Sequence, residues 1–426
     1  MSILLGCIAD DFTGATDLAN NLVRHGMRVA QTIGVPAKHL DAKYDCVVVA
    51  LKSRTISPEE AVRKSLEALD WLLEQGAQQI YFKYCSTFDS TDKGNIGPVT
   101  EALMKALKTD FTIATPAFPD NGRTVFKGHL FVGDMLLNES SMRNHPLTPM
   151  TDANLVRVLQ TQSKGLVGLI DYQTIAKGVD AIDSRMKELK ATEVSIAIVD
   201  AISNEDLYRM GPAFKGLRLV TGGSGLAIGL PKNFAIEADS KACTLPPASG
   251  YEAILSGSCS DVSNQQVAHF LQSGGSAYAI NPRDLITKER GIQGIVSDAL
   301  AWAKPLLPLG PILIYSTASP DQVKVAQVEF GVDAAGSAVE NTLAWIAREL
   351  VQLGVGKFII AGGETSGACV RALGVEQMQI GPQIDPGVPW CHAQVNEHSI
   401  HLALKSGNFG DKAFFTKAFS VLREQK

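Results

Sequence analysis

The feature that most constrains the fold is an alternation of short apolar runs with longer segments of helical period. The runs are rich in Val, Ile and Ala, and the segments between them space apolar residues three and four apart, as with Ala15, Leu18 and Leu22. Near-continuous apolar strands separated by amphipathic helices are typical of a parallel sheet that is covered on both faces. The alternation therefore predicts an α/β fold, with first-half strands at residues 3–9, 29–33, 46–50, 79–83, 111–115, 166–170, 194–199 and 217–220.

The alternation stops in the segment 231–247, which reads PKNFAIEADSKACTLPP. This segment is polar, bounded by prolines and without period, which is typical of a connection between domains. A second series follows, with strands predicted at 253–255, 277–280, 311–315, 357–361 and 398–404, and helices at 263–271, 295–303, 337–353 and 411–422. Because 426 residues suffice for two domains, we predict two α/β domains with mainly parallel sheets, at 1–230 and 251–426, a linker at 231–250, and an active site in the interdomain cleft.

Composition and charge narrow the possible functions. With 45% hydrophobic and 19% charged residues, the chain has the composition of a soluble globular protein. A net charge of -5 argues against nucleic acid or an acidic membrane surface as partner. The first apolar run is too short for a signal peptide or a membrane span, and the seven cysteines have no zinc-site spacing. We therefore expect a cytoplasmic protein with small-molecule partners, without nucleic acid or membrane; the sequence leaves the oligomeric state open, including a homodimer.

Polar and charged side chains follow the predicted strands of the first half of the chain. Asp10 and Asp11 come directly after the first strand, in the stretch ILLGCIADDFTG, and a buried strand seldom ends in paired carboxylates for structural reasons. Ligands of open parallel sheets bind outside the carboxyl ends of the strands. We therefore predict a site there, with Asp11 and Asp10 as catalytic candidates and Arg54, Lys83, Ser86, Thr13 and Arg123 as substrate-binding candidates.

Carboxylates beside cations and hydroxyls suit a small polyhydroxy acid. Arg and Lys side chains would hold the carboxylate of the acid, and Ser and Thr its hydroxyls. Asp11 would accept a proton from one hydroxyl while Asp10 orients the substrate, or the two acids have the reverse roles. A structural alternative exists for each residue: Asp11 could be the N-cap of the following helix, and Arg54 and Lys83 could be surface charges.

Glycine-rich turns mark the second half of the chain. The stretch GGETSGA follows a predicted strand and opens a helix, so its backbone N–H groups are free to bind an anion. The stretches ILSGSCS and KSGNFG follow two further strands, and three such turns in one domain predict a polyphosphate such as ATP, although a single turn could simply reverse the chain. The motif is neither a Walker A loop nor GxGxxG. The predicted ATP-binding residues are Ser258, Gly362, Gly363, Glu364, Thr365, Gly407 and Asn408.

A polar-acid site on one domain and a polyphosphate site on the other describe a two-substrate transferase. Phosphoryl transfer suits this pair, because it depends on positioning and charge neutralisation, with Mg²⁺ bridging the phosphates and a carboxylate accepting the hydroxyl proton. The sequence does not indicate which residues contact Mg²⁺. Two alternatives are a nicotinamide-dependent sugar-acid oxidoreductase, which lacks the expected glycine fingerprint and ribose-binding acid, and a sugar-acid sensor, which needs no polyphosphate site.

Six motifs occur in a fixed order over nearly the whole chain: ADDFTGATD, GRTVFKGHLFV, TGGSGLA, GGETSGA, IDPGVPW and KSGNFG. Together they resemble the four-carbon acid sugar kinase family, and within it the 3-oxo-tetronate 4-kinases more than the threonate or erythronate kinases. The resemblance implies an N-terminal sugar-acid-binding domain and a C-terminal nucleotide-binding domain. It also implies an ATP-dependent kinase that phosphorylates the 4-hydroxyl of a four-carbon acid sugar, expected to be 3-oxo-tetronate, with D-threonate or D-erythronate as alternatives.

The resemblance also assigns residues to each substrate. It places ATP at Ser258, at residues 362–365 and at Gly407, and the acid sugar among Asp10, Asp11, Arg54, Lys83 and Ser86. One departure is the segment NHPLTP, where His145 occupies the place of an expected acid. A charge-based role of that segment is therefore in doubt. The segment 384–390, IDPGVPW, is predicted to form a rigid loop.

Overall fold

The computed structural model describes residues 3–37, 40, 44–145, 148–286, 291–317, 332–396 and 398–424. The chain divides into two compact units, Met1–Ala242 and Cys243–Lys426. Each unit is an α/β structure built around its own strands, so the predicted fold class is confirmed. Among the described helices, none combines the length and the apolar character that crossing a membrane would require.

The described part of the first unit has eight parallel strands in the order β2-β3-β1-β4-β11-β5-β10-β9. A separate antiparallel sheet contains β6, β7 and β8. The strands are β1 (Leu5–Ala9), β2 (Val29–Ile33), β3 (Cys46–Ala50), β4 (Gln79–Lys83), β5 (Thr112–Thr115), β6 (Arg123–Phe126), β7 (His129–Val132), β8 (Met135–Leu136), β9 (Leu166–Ile170), β10 (Val194–Val199) and β11 (Leu219–Gly222).

The helices of the first unit cover this parallel sheet. They are α1 (Phe12–Arg24), α2 (Pro58–Glu74), α3 (Ile96–Ala106), α4 (Leu155–Gln162), α5 (Tyr172–Ala176), α6 (Val179–Ala191) and α7 (Asn204–Met210). The central strands β1, β3 and β4 are buried along their whole length, as expected for a sheet with both faces covered. Helix α1 is buried on nearly every side, which places its polar residues inside the unit.

Asp200 attaches the small antiparallel sheet to the parallel one. It follows β10, and its carboxylate accepts hydrogen bonds from the N–H groups of Lys127 (2.6 Å) and Gly128 (2.8 Å) in the β6–β7 turn. The N–H group of Tyr172 donates a third bond, at 2.9 Å. The small sheet is therefore held at the carboxyl edge of the parallel sheet, and its first residue is Arg123.

The described residues of the second unit form seven strands in the order β13-β14-β12-β15-β18-β17-β16. The first five are parallel, β17 pairs antiparallel with β18, and β16 pairs antiparallel with β17. The strands are β12 (Tyr251–Ser256), β13 (Ser276–Ala279), β14 (Ile312–Tyr315), β15 (Val355–Ala361), β16 (Gln377–Asp385), β17 (Val388–Val395) and β18 (His398–Lys405). The helices are α8 (Asp261–Gln272), α9 (Pro282–Ile286), α10 (Gly291–Ala303), α11 (Val332–Gln352), α12 (Gly363–Ala372) and α13 (Phe414–Arg423).

The prediction of a rigid loop at 384–390 was wrong. These residues form the end of β16, a two-residue turn and the start of β17, in an antiparallel hairpin. Proline and glycine marked the turn correctly, but they concealed the strands on either side of it. Trp390 explains part of the stability of this hairpin, because its ring is fully buried and its Nε1 donates to the carbonyl oxygen of Ala418 at 2.8 Å.

Candidate active site

Three strand ends of the first unit lie level with one another. Ala9 of β1 pairs with Ala50 of β3 and with Lys83 of β4. Backbone hydrogen bonds continue past these ends, since Asp10 N–H donates to the Lys83 carbonyl and Ser53 N–H donates to the Asp10 carbonyl, both at 3.0 Å. The fold therefore fixes the backbone of the paired acids against the two neighbouring loops.

Arg54 binds both acids. Its Nε and Nη2 atoms contact the two oxygens of Asp10 at 2.9 and 2.7 Å, and Nη2 also contacts Asp11 Oδ1 at 2.8 Å. The Arg54 side chain is 20% exposed, Asp10 8% and Asp11 25%. Arg54 is thus part of the predicted site and not a surface charge, and Asp11 is the more accessible of the two carboxylates.

Asp11 is also the N-cap of α1. Its Oδ1 accepts a hydrogen bond from Gly14 N–H at 2.9 Å, and its Oδ2 accepts one from the Thr13 hydroxyl at 3.0 Å. The structural interpretation is therefore correct for Asp11, as Asp is a favoured N-cap residue. Capping uses one lone pair of a carboxylate that has several, so it leaves a second function open to the same side chain.

The two acids differ in proton affinity. Burial raises the pKa of Asp10, and the Arg54 guanidinium offsets this effect only in part. Burial acts in the same direction on Asp11, but Arg54, Lys83 and the Thr13 hydroxyl together lower the Asp11 pKa below its ordinary value. Asp11 is therefore the carboxylate that is more firmly ionised at neutral pH.

Lys83 supplies a buried cation to the same edge. Its side chain is 2% exposed and its Nζ donates to the Tyr84 carbonyl at 2.7 Å. Its charge acts on Asp10, Asp11 and Asp17. Lys83 is therefore not a surface charge, and its ammonium group has further donor positions besides the one that Tyr84 accepts.

Asp17 belongs to this group of charges, although the sequence analysis did not identify it. It lies one helical turn after Thr13 in α1 and is 4% exposed. Its Oδ2 accepts a hydrogen bond from the Ser224 hydroxyl at 2.5 Å, whereas its Oδ1 has no hydrogen-bond partner among the residues that the structure describes. Burial raises the Asp17 pKa to about 6, while the charges of Lys83 and Arg123 act in the opposite direction. The four-residue spacing from Thr13 could have indicated it.

Arg123 and Ser86 complete the first set of predicted residues. Arg123 is half-buried, and its Nη1 donates to the Asn121 carbonyl. Its buried Nε has no hydrogen-bond partner within the described part of the chain. Burial lowers the Arg123 pKa, while Cys85, Asp17 and other acidic groups act against that effect. Ser86 is buried in the turn after β4. The guanidinium group of Arg123 is therefore close enough to Asp17 and Asp89 to interact with their charges. Among the described residues, its Nε donor is unused.

Asn95 holds the loop that carries Arg54 and was also missed. Its Nδ2 donates to the carbonyl oxygens of Ser53 (2.7 Å), Arg54 (3.2 Å) and Ile56 (3.0 Å). Asn95 occupies the N-cap position of α3, but its side chain makes no capping bond there. Its carboxamide thus fixes the backbone of the arginine loop, a long-range role for which the sequence contains no local signal.

The second unit has a comparable edge at the ends of β12, β15 and β18. Ala361 pairs with Ser256 on one side and with Lys405 on the other. The Gly362 N–H donates to the Lys405 carbonyl at 2.8 Å, and the Ser258 N–H donates to the Ala361 carbonyl at 3.2 Å. The three predicted glycine- and serine-rich turns are therefore adjacent in the folded chain.

Two of the glycines lie close to neighbouring side chains, and the backbone conformation of one of them requires glycine. Gly362 has a φ of 123°, which L side chains rarely adopt, and an added Cβ would lie 2.8 Å from Thr365 Oγ1. An added Cβ at Gly407 would lie 2.6 Å from Ser258 Oγ. Helix α12 begins at Gly363 without a side-chain cap, so its first N–H groups are available to an anion. Glu364 and Asn408 are exposed at this edge, and Thr365 is buried.

Two other expectations concern metals and His145. Among the residues that the structure describes, no group of three or more His, Cys, Asp or Glu side chains is arranged to hold a metal ion. His145 accepts hydrogen bonds at Nδ1 from the N–H group and hydroxyl of Thr148, at 3.1 and 2.9 Å. Its neighbours Pro146 and Leu147 lie outside the described residues.

Comparisons with known proteins distinguish two regions of the chain. Residues 5–230 match the family described as a sugar-binding N-terminal domain, and residues 253–415 match the one described as a nucleotide-binding C-terminal domain. Proteins named 3-oxo-tetronate kinase are similar over nearly their whole length. The one from Burkholderia multivorans is 57% identical, covering 98% of this chain and 97% of its own. The one from Haemophilus influenzae is 46% identical, covering 97% and 99%.

Solved structures show the same fold. A Salmonella typhimurium LT2 protein has a TM-score of 0.87 at 44% identity, covering 97% of this chain and 98% of its own. A Haemophilus influenzae protein has a TM-score of 0.78 at 46% identity, covering 98% and 100%. A sugar-binding domain followed by a nucleotide-binding domain defines the class of protein. The chain belongs to the four-carbon acid sugar kinase family, which confirms the resemblance carried by its motifs.

Proposed function

We propose that the protein is an ATP-dependent kinase that transfers a phosphoryl group to the 4-hydroxyl of 3-oxo-tetronate. The single observation that carries this proposal is that the two units of one chain of this family present two different kinds of site. The first unit presents carboxylates bound to cations, and the second presents a glycine-rich helix start. The curated relatives named 3-oxo-tetronate kinase support the choice of substrate.

The first unit would bind the sugar acid. Arg123, with its unpaired Nε, and Lys83, with donor positions left over, suit the carboxylate of the acid. Ser86 and Thr13 supply hydroxyl groups at the same strand ends. Asp11 would accept the proton of the 4-hydroxyl, because it is the more exposed acid and is ionised at neutral pH. Asp10 would hold Arg54 in place through its two hydrogen bonds.

The second unit would bind ATP through Ser258, the 362–365 turn and Gly407. Bare backbone at Gly362 and Gly407 lets the phosphates approach closely, which a Cβ at either position would prevent. Asn408 and Glu364 are exposed at the same edge, where they can reach a bound nucleotide. ATP supplies the γ-phosphoryl group: a bond forms between the 4-oxygen and γ-phosphorus, the bond to the β–γ bridging oxygen breaks, and ADP leaves.

Mg²⁺ would accompany the nucleotide. This ion usually keeps several waters and binds through substrate phosphates with one or two carboxylates. The exposed carboxylate of Glu364 at the start of α12 suits that mode. When bound, Mg²⁺ neutralises phosphate charge.

The same proposal covers organisation and location. Residues 1–230 would form the acid-binding domain, 231–250 the linker and 251–426 the nucleotide-binding domain. A cytoplasmic location agrees with cysteines that form no disulfide bond among the described residues. A homodimer stays a prediction.

A coupled ADP-release assay tests the function. Purified protein is supplied with MgATP and, in turn, 3-oxo-tetronates, D-threonate and D-erythronate, and nicotinamide absorbance is followed separately. We expect the highest kcat/KM with a 3-oxo-tetronate and a product phosphorylated at C4 in ³¹P–¹H correlation spectra. A preference for threonate or erythronate would change the substrate but keep the kinase; no ADP with any acid would contradict the proposal.

A further inference from the structure

Lys405 is a fully buried lysine at the end of β18. Its side chain turns back beneath its own loop, where Nζ donates to the carbonyl oxygens of Ser406 and Gly407, both at 2.9 Å. A longer contact of 3.4 Å joins Nζ to Ser263 Oγ on α8. The ammonium group therefore binds the backbone of the loop to which the sequence analysis assigned a phosphate contact.

The Gly407 carbonyl is held at three points. Besides Lys405 Nζ, it accepts hydrogen bonds from the hydroxyls of Ser260 (2.7 Å) and Ser263 (3.1 Å). This carbonyl therefore points into the unit, towards the lysine. Because the position of Gly407 beside Ser258 leaves no space for a Cβ, a shift of the loop would alter the phosphate-binding edge itself.

Lys405 has no acidic partner among the described residues. Burial alone lowers its pKa, to about 7. The ionisable side chains on the elements packed around it make no ion pair with it and add nothing to its shift: Asp261 and His269 on α8, Lys357 on β15, Glu364 and Arg371 on α12, His392 on β17, and His398 and His401 on β18 itself. In the same sheet, by contrast, Lys357 pairs with Glu252 at 3.0 Å.

A buried cation without a counter-charge is unfavourable unless an anion compensates it. We propose that Lys405 is a positioning residue that holds the Gly407 loop in its phosphate-binding shape and takes the polyphosphate of the bound nucleotide as its counter-charge. Nucleotide binding then takes up a proton on Lys405. The inference rests on the proposed function only in assuming that ATP binds at this edge.

The direction of the pH effect follows from linkage. Negative phosphates near the ammonium raise the Lys405 pKa, so the complex holds more protons than the free protein between the free and the bound pKa. ATP affinity is therefore highest below about pH 7. It decreases as the pH rises through the pKa that Lys405 has in the nucleotide-free protein. If nucleotide binding raises the Lys405 pKa by one unit, the ATP affinity differs about tenfold between the low-pH and high-pH limits.

The test is a calorimetric titration between pH 6.5 and 8.5, without the sugar-acid substrate. MgATP is titrated into wild type, Lys405→Met and Lys357→Met. Magnesium keeps the phosphates deprotonated over this range. We expect the wild-type Kd to rise about tenfold across the range, and Lys405→Met to bind about tenfold more weakly at pH 6.5 with a flat profile. Lys357→Met removes a strand lysine of the same sheet that has its own acidic partner, and should follow the wild type.

Proton uptake by the wild type gives a measurement that needs no variant. Apparent binding enthalpies in phosphate and in Tris at pH 7.5 should differ by the uptake of a fraction of a proton per MgATP, even if Lys405→Met does not fold. Equal enthalpies in the two buffers, or a Lys405→Met profile parallel to the wild type, would overturn the role of Lys405 while ADP release stays intact. Absence of MgATP binding by the wild type at every pH would overturn this inference together with the proposed function.

Discussion

The carboxyl edges of the two parallel sheets are built from different chemistry. In the first unit, side-chain charges occupy the edge: Arg54 bridges Asp10 and Asp11, and Lys83 and Asp17 are buried beside them. In the second unit, Gly362, Gly407 and serine hydroxyls occupy it, with one buried lysine that has no acidic partner among the described residues. A site that distinguishes hydroxyls and removes a proton needs oriented side chains. A site for phosphates needs close backbone and free N–H groups.

The largest effect on this comparison should come from Asp11→Asn. Asn is a good N-cap, so α1 should keep its start, but the amide cannot accept the hydroxyl proton. We expect kcat to decrease about 10²–10⁴-fold while the affinity for the acid changes little. Steady-state kinetics with Asp10→Asn alongside separates the two acids, and a larger loss in Asp10→Asn would exchange their roles.

Asp152→Asn provides the matched control for this prediction. Asp152, like Asp11, accepts a hydrogen bond from an arginine, but it lies on an exposed surface, where Arg157 makes a two-point contact at 2.8 Å for both bonds. Its kcat should equal that of the wild type. Near-normal turnover in Asp11→Asn would remove Asp11 from catalysis.

A second prediction concerns how far ionisation of Asp17 lowers the free energy of unfolding. Asp17 has a folded pKa of about 6 against an ordinary value of 3.8, so the folded chain holds its proton more tightly, and stability is lost as the pH rises from about 4 through 6. Asp17→Asn lacks this loss. Relative to wild type, its free energy of unfolding should gain about 2–3 kcal/mol between pH 4 and pH 7.

Urea denaturation at a series of pH values measures this difference. A stability difference between the two proteins that is constant from pH 4 to pH 7 would mean that Asp17 does not titrate there. Asp17 would then be ionised at neutral pH without a pKa raised by folding.

A third prediction tests the glycine edge. Gly407→Ala places a methyl group near Ser258 Oγ, so we expect MgATP to bind about tenfold more weakly, with unchanged affinity for the acid. Gly336→Ala is the control, because a Cβ at that helical position lies in open space except for Glu340 Oε1 at 3.9 Å. Equal MgATP affinity in both variants would show that the turn at Gly407 only reverses the chain and does not contact the nucleotide.

The smallest effect is expected from Asn95→Ala. Removal of the Nδ2 group that contacts three carbonyl oxygens of the arginine loop should raise the KM for the sugar acid roughly three- to tenfold and leave MgATP affinity unchanged. Asn233→Ala is a comparable buried loss, since Asn233 Nδ2 donates to the Gly211 carbonyl at 2.9 Å. It should lower stability without a change in KM. A KM effect of the same size in both variants would show that Asn95 has no specific role.

The strand ends were predictable from the sequence, because apolar runs followed by charged residues mark them directly. Asp10, Asp11, Arg54 and Lys83 were found in this way and lie together. Boundaries shifted by one or two residues in several strands, as with 217–220, which is Leu219–Gly222 in the structure. Such shifts are expected, because pairing and not local pattern decides where a strand ends.

Other parts of the site depend on tertiary contacts and were not predictable. Asp17 and Ser224 are 207 positions apart and meet only because α1 packs against the turn after β11. Asn95 reaches a loop about 40 residues earlier in the chain. The sequence predicts only a glycine turn at Lys405, because nothing in it shows that the lysine side chain folds back under its own loop.

The most direct test of the account is a paired binding measurement on wild type, Arg54→Met and Gly407→Ala. Each protein is titrated separately with a 3-oxo-tetronate and with MgATP. The account predicts that Arg54→Met loses acid affinity by at least about tenfold and keeps MgATP affinity, whereas Gly407→Ala shows the opposite pattern. Equal losses of both ligands in Arg54→Met, or an unchanged acid affinity, would contradict the assignment of the charged edge to the acid.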